Sequence, residues 1–255
     1  MSAYIAAWST DKGICKATNQ DSALLLQAES SKGDLLMAAV CDGVGGLAKG
    51  ELASAYAVEQ LKEWFTNELP VLLEKKEFPK MLYQSWNELV VRINRKLAAY
   101  AKDRRQNLGT TMSVLLLADS HYYILHIGDS RIYLLENGIR QLTHDQTFIQ
   151  REIDEGRMTP EEAREDERRN VLLQCVGASR IIMPDFADGA FLAGQRFLLC
   201  SDGFRHEVSG EEIYRKLSGK AAPTQAQMQK GLDELVRLNM QRQETDNITA
   251  FLIQV

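Results

Sequence analysis

Cysteine is scarce in this 255-residue chain, and Cys15, Cys41, Cys175 and Cys200 form no C-x-x-C pair. Two of them fall in apolar, strand-like runs, which reads as buried free thiols in a reducing cytoplasm. Long hydrophobic runs are absent: nothing approaches the ~18 apolar residues of a membrane span. The first residues lack a basic stretch followed by an apolar one, so no signal peptide is expected. Positive charge is not in excess, with 30 Lys and Arg against 35 Asp and Glu and a net charge of −5. No global basic field therefore favours nucleic acid or an anionic membrane, whereas a positively charged protein substrate is compatible. Histidine is sparse too. His121, His126, His144 and His206 make no H-E-x-x-H and lie near no Cys-rich tract, which argues against a dedicated zinc site. No cysteine is followed by Arg six positions on, which excludes the Cys-x5-Arg nucleophile, and no Ser sits in a G-x-S-x-G elbow. Tandem repeats, low-complexity segments and linkers are also missing, so residues 1–255 read as a single domain.

What is present is an ordinary globular composition, 45% hydrophobic and 25% charged, long enough to bury a sizeable core. Short strand-like runs at 4–10, 22–26 and 35–41 are separated by polar turns, which suggests antiparallel pairing. Two long patterns of helical spacing follow. Leu52, Ala55, Tyr56, Val58, Leu61, Trp64 and Phe65 mark the first, and Leu82, Trp86, Leu89, Val90, Ile93 and Leu97 the second, with Pro70 and Pro79 breaking the connection. Strands return at 111–117, 122–127 and 131–135, the last entering an Asn137-Gly138 hairpin turn. Residues 145–169 are densely charged and read either as a solvated excursion or as a flap over a site. Within them, Thr159, Pro160 and Glu162 form a capping box. An interrupted strand at 181–191, a clear one at 195–201, helices after Ser209 and at 225–241, and a last strand at 248–253 complete the chain.

The chemistry gathers around Asp42-Gly43-Val44-Gly45-Gly46, directly after a buried strand. Residues 43–48 fit G-x-G-x-x-A, but a dinucleotide site needs a second strand after the helix, ending in an acid roughly 20 residues on, and another helix comes instead. A P-loop needs Gly-Lys-Ser/Thr, whereas Lys49 is followed by Gly50 and Glu51. A carboxylate at the lip of a buried strand is costly unless its charge is compensated. Asp21, Asp42, Asp129, Asp202 and Asp246 all lie at strand ends beside Gly, Asn or a polar turn. If they converge they repel one another, and divalent cations with a preference for oxygen, Mg²⁺ or Mn²⁺, remove the conflict.

The segments Asn19-Gln20-Asp21, Asp42-Gly43-Val44-Gly45-Gly46 with Gly50-Glu51 and Ala53-Ser54, Leu108-Gly109-Thr110-Thr111, Gly128-Asp129-Ser130-Arg131, Leu142-Thr143-His144-Asp145, Ser201-Asp202-Gly203-Phe204 and Thr245-Asp246-Asn247-Ile248-Thr249 occur in order across nearly the whole chain. Together they resemble the metal-dependent protein serine/threonine phosphatases of type 2C in their compact bacterial form. The resemblance implies an α+β, four-layer α/β/β/α sandwich: two central antiparallel sheets flanked by helix pairs. It implies hydrolysis of phosphoserine and phosphothreonine in proteins by a water or hydroxide shared between two Mg²⁺ or Mn²⁺ ions, without a phosphoenzyme. Phosphorylated proteins would be the partners, the phosphatase reversing a bacterial serine/threonine kinase. In family terms Asp42 resembles the carboxylate bridging both metals, with the Gly43 carbonyl on one; Asp202 and Asp246 resemble ligands of the other. Asp21 would act through metal-bound water, and Asp129 would help hold a weaker third ion beside Asp202.

Three positions depart from the family pattern. Lys16 stands where relatives usually carry Arg as the phosphate clamp, and it is a point charge without the bidentate fork. Val44 replaces a His that many relatives place in the first Asp-Gly segment. His206 replaces an Asp, which weakens the case for the third ion. This trio motivates a rival reading, a catalytically silent phosphoprotein-binding module of the same fold. The intact Asp42, Asp202 and Asp246 count against it.

Overall fold

The computed structural model describes residues 4–30, 32–44, 49–219 and 223–255. Gly45 and Gly46 of the central motif lie outside the described residues. Among the described residues, ten strands form two five-stranded sheets, all of whose pairings are antiparallel. The first sheet orders β2 (Ser22–Ser30), β3 (Gly33–Cys41), β4 (Met112–Ala118), β5 (His121–Ile127) and β8 (Asp185–Ala190) side by side. The second orders β1 (Ile5–Asp11), β10 (Ile248–Gln254), β9 (Arg196–Cys200), β6 (Arg131–Leu135) and β7 (Ile139–Gln141).

Strands buried on both faces read as continuous apolar runs, and the period of two then divides them between neighbours. In β3, Leu35, Met37, Ala39 and Cys41 join the core beneath α1 (Gly50–Asn67), α2 (Leu69–Leu73) and α3 (Phe78–Arg104), while Leu36, Ala38 and Val40 face the other sheet. In β9 and β10, Leu198, Cys200, Ile248, Ala250 and Leu252 pack under α6 (Gly210–Leu217) and α7 (Gln225–Gln241). Phe197, Leu199, Phe251 and Ile253 fill the seam between the sheets. Three apolar seams between four layers give an α/β/β/α sandwich, as expected. No helix among the described residues is long and apolar enough to cross a membrane.

Some elements differ from the sequence reading. Pro70 and Pro79 do not break the chain into loop: each sits in the first turn of a helix, α2 and α3, where its missing N–H costs nothing. The interrupted strand at 181–191 narrows to β8. The charged stretch holds two short helices, α4 (Phe148–Asp154) and α5 (Pro160–Glu165), the second with the anticipated Thr159–Glu162 capping box. Asp145, Gln146 and Thr147 are buried, and Gln146 exchanges hydrogen bonds with Gly128 in the body of the protein.

Candidate metal centre

Strand register alone brings the aspartates to one end of the sandwich. In the first sheet, Ser22 pairs with Cys41 and Met112 with Ile127, so Asp21, Asp42 and Asp129 leave that sheet at the same edge. In the second, Ala250 and Arg131 both pair with Cys200, and Asp11 pairs with Ile248, which puts Asp129, Asp202 and Asp246 at one edge. Residues 128–130 cross between the sheets, so Asp129 belongs to both groups and joins them.

Local contacts fix each carboxylate. The Asp42 backbone is held on both sides: its N–H donates to Thr111 Oγ1 (2.9 Å), and its carbonyl accepts from the Thr111 N–H (2.8 Å) and Thr110 Oγ1 (2.9 Å). Gly43 then crosses α1 at Gly50 so closely that a Cβ on Gly43 would lie 2.5 Å from the Gly50 carbonyl carbon. Only glycine permits that approach. The same crossing is tied to Gln20, whose carbonyl accepts from the Gly43 N–H (3.1 Å) and Ser54 Oγ (2.6 Å). Asp202 opens a short 3₁₀ turn, and a Cβ at Gly203 would meet the Asn247 carbonyl at 2.2 Å, so the absent side chain is what lets Asp202 stand beside Asp246.

The cluster's electrostatics are those of like charges forced together. Burial, and then the charges of Asp21, Asp202, Asp129 and Asp246, hold Asp42 well above the usual carboxylate range. Burial likewise lifts Asp21 to about 7, against a hydrogen bond from Ser201 Oγ (2.9 Å), and lifts Asp129 to about 7, with Asp202 adding to the rise. Asp21 Oδ1 and Asp202 Oδ1 are buried without a hydrogen-bond partner. Lys16 Nζ lies 2.8 Å from Asp246 Oδ1. His206 stands between Asp202 (3.5 Å) and Glu244 (3.3 Å), and the other oxygen of Glu244 accepts the N–H groups of Thr245 and Asp246. Among the described residues, no three His, Cys, Asp or Glu side chains stand as a ready-made chelating group. Asp246 leans on Lys16, Asp202 on His206 and Asp21 on Ser201, as repelling carboxylates do when cationic or hydroxyl partners are in reach. The donor set is nevertheless all oxygen, with orphaned buried atoms and surplus negative charge, and that fits hard divalent cations.

Register therefore gathers all five aspartates, with Gly43 buried behind Asp42 and Lys16 across from it at Asp246. Sequence reasoning gave no part to Glu244, which joins the Thr245 and Asp246 N–H groups to the distant His206, or to Asn247, whose role depends on backbone groups at the far end of the chain. It also missed the cluster beside the site in which Arg131 grips Asp145 through Nε (2.8 Å) and Nη2 (2.7 Å), while Arg205 bonds the Asp129 carbonyl (3.0 Å) and approaches Asp145 (3.4 Å). A cavity of about 630 Å³ between α6 and α7 lies apart from all of this, and the Glu234 on its wall is matched by Lys216. Volume does not mark the site here; unmatched charge does.

A two-sheet sandwich with helices outside and an acidic cluster at one end defines a class of metal-dependent fold, and comparison with known proteins narrows it. The family model "Protein phosphatase 2C" matches residues 15–243, and the chain belongs to that family. Serine/threonine protein phosphatase PstP of Mycobacterium tuberculosis is 32% identical over 249 residues, covering 96% of this chain and 44% of the mycobacterial protein. This chain thus spans less than half the length of that relative. Serine/threonine phosphatase stp of Listeria innocua is 29% identical, over 98% of this chain and 95% of its own. The crystal structure of the Mycobacterium tuberculosis phosphatase PstP/Ppp superposes with a TM-score of 0.82 at 30% identity, covering 99% of this chain and 98% of that one. A structure of the PstP catalytic domain described as in complex with 2 manganese ions superposes at 0.79 and 29% identity, covering 98% and 97%.

Proposed function

We propose that this chain hydrolyses phosphoserine and phosphothreonine in proteins, with Asp42, Asp202 and Asp246, assisted by Asp21 and the Gly43 carbonyl, holding two Mg²⁺ or Mn²⁺ ions, and with Asp129 beside Asp202 at the edge of that centre. The observation that carries the reading is the set of five aspartates at one sandwich end, three of them with protonation equilibria displaced upward by burial and by one another. The manganese-bound relative and the names of the relatives support it. When bound, such a pair supplies positive charge for the phosphoryl oxygens and a water of lowered pKa for direct displacement at phosphorus, so no phosphoenzyme is needed.

The chain's own residues do the rest. Asp42, fixed by Thr110 and Thr111 on one sheet, and Asp202 with Asp246, fixed on the other, set the separation of the two halves of the site. Lys16 supplies the cation that captures the substrate phosphate. His206 takes the place beside Asp202 where a third ion would bind, and its contact with Glu244 argues for two ions rather than three. The substrates we propose are phosphorylated proteins, a serine/threonine kinase among them. All four cysteines are free, which supports a reducing, cytoplasmic setting.

Hydrolysis of a phosphothreonine peptide and of p-nitrophenyl phosphate, with Mn²⁺ and with chelator, tests the proposal. Turnover that needs the metal and disappears in Asp202→Ala supports it. Turnover that survives chelation, or is untouched by Asp202→Ala, rejects it. Metal binding and phosphopeptide binding without turnover would favour the silent binding module instead.

A further inference from the structure

The Asn247 side chain, on a residue only 2% exposed, is committed wholly to the loop between β1 and β2. Its Nδ2 donates to the carbonyls of Lys12 (2.9 Å) and Thr18 (3.1 Å), and its Oδ1 accepts from the Gln20 N–H (2.9 Å). These bonds fasten both legs of a loop that carries Lys16 between them. The near leg is also packed against the residue that precedes Asn247. Gly13 has φ +72°, its N–H donates to Asp11 Oδ1 (2.8 Å), and a Cβ on it would lie 2.3 Å from the Asp246 carbonyl oxygen. At the end of this construction the Lys16 ammonium reaches Asp246 Oδ1 at 2.8 Å, although its side chain is 31% exposed. A lysine is a point charge on a flexible stem, so where its charge stands depends on how firmly its backbone is held.

We propose that Asn247 is the positioning residue for Lys16, acting through the backbone of residues 12–20 to hold the ammonium beside the carboxylate cluster, where a substrate phosphate is captured. Asn247 does not itself reach the substrate, because its donors and acceptor are already engaged. It couples the strand that delivers Asp246 to the loop that delivers the phosphate clamp, so one dipeptide aligns both. This inference rests on the phosphatase reading above.

The test is a double-mutant cycle on Asn247→Ala and Lys16→Ala, read as kcat and KM on a phosphothreonine peptide with Mn²⁺ and as inhibition by inorganic phosphate. Asn247→Ala is expected to raise KM and the phosphate inhibition constant about tenfold with kcat within about threefold, and to add less than about twofold once Lys16 is already alanine. Equal effects of Asn247→Ala in both backgrounds, or a loss confined to kcat, would overturn the proposal. Gly13→Ala forces the near leg of the same loop away from the Asp246 carbonyl and serves if Asn247→Ala does not fold: KM must rise, and again only while Lys16 is present. Amide hydrogen exchange gives a readout independent of turnover. Asn247→Ala, or Gly13→Ala in its place, is expected to speed exchange across residues 12–20 while β9 stays protected, and unchanged exchange there overturns the positioning role. A wild-type chain that hydrolyses no phosphoester would refute the phosphatase reading alone, and the exchange result would still decide whether residues 12–20 are held by Asn247.

Discussion

Two buried acidic clusters lie side by side at one end of this sandwich, and they are built in opposite ways. Asp145 sits between Arg131 and Arg205, accepts three bonds from the Arg131 guanidinium and one from Gln141, and, against the cost of its burial, is held below the usual carboxylate range. Asp21, Asp42 and Asp129 are pushed the other way by burial and by the charges of neighbouring aspartates, Asp202 in each case. A protein that buries acids for stability surrounds them with arginine. One that buries them for chemistry leaves the charge unmatched, with Lys16 and His206 touching only the margin at Asp246 and Asp202. Asp129 marks the boundary: its side chain is raised with the repelling set, yet Arg205 bonds its carbonyl and stands 3.9 Å from its carboxylate, opposing that rise.

The contrast is broken most severely at Asp42. Asp42→Asn keeps the backbone bonds to Thr110 and Thr111 but removes the charge, and kcat/KM should fall by about a thousandfold or more, roughly 4 kcal/mol of transition-state stabilisation. The same variant, stripped of metal at pH 7.5, should melt no lower than wild type, because an acid whose ionisation is opposed by burial and by neighbouring carboxylates has become a neutral amide. Thermal melts beside steady-state kinetics check both halves, and a large drop in melting temperature would mean that Asp42 is a structural acid after all.

Asp145→Ala should do the reverse. Leaving Arg131 and Arg205 buried without their carboxylate is expected to cost about 3 kcal/mol, a drop of about 10 °C in melting temperature for a chain this size. An unchanged melt would remove the distinction between the clusters.

The acid–base behaviour separates them further. A carboxylate whose folded pKa is raised binds its proton more tightly in the native state, so it favours folding below its unfolded pKa, near 4, and opposes folding as pH climbs toward 7. His206, raised by Glu244 and Asp202 despite its burial, has the same sign: its contribution is complete below about 6.5 and is lost as pH rises through its folded pKa. Asp145 and Glu244, both lowered, contribute above about 4 and lose that contribution as pH falls through their folded values. Chelated protein should therefore be most stable near pH 5 and weaken toward 7.5, with Asp21→Asn flattening that decline and Mn²⁺ reversing it. A melting temperature rising steadily from pH 5 to 7.5 in chelator would contradict the assignment. The smallest effect belongs to Lys16, whose replacement by Ala should raise KM about tenfold and change kcat little. A kcat loss at constant KM would take it out of phosphate capture.

The repelling cluster was legible in the sequence and the neutralised one was not, for a physical reason. Asp42 and Asp202 each follow an apolar strand and precede glycine, a local pattern that a linear reading can see. Asp145 opens a charged stretch that reads as surface, and its arginines come from β6 and from the turn after Asp202, so only the folded register unites them. The same limit explains Asn247, which was visible in its motif although its partners Lys12, Thr18 and Gln20 lie at the far end of the chain. Buried strands such as β3 and β9 were readable as apolar runs, whereas the sandwich they build came from the family resemblance. The short elements α2, α4 and β7 were not, since a few residues carry too little periodicity.

Calorimetric titration of the metal-free protein with Mn²⁺ at pH 7.5 addresses the central claim directly. The account predicts about two ions per chain, bound with net release of protons because Asp42 is held well above the usual carboxylate range and Asp21 and Asp129, near 7, keep a share of theirs, and loss of that binding in Asp42→Asn. Absence of binding, or binding that Asp42→Asn leaves intact, would contradict it.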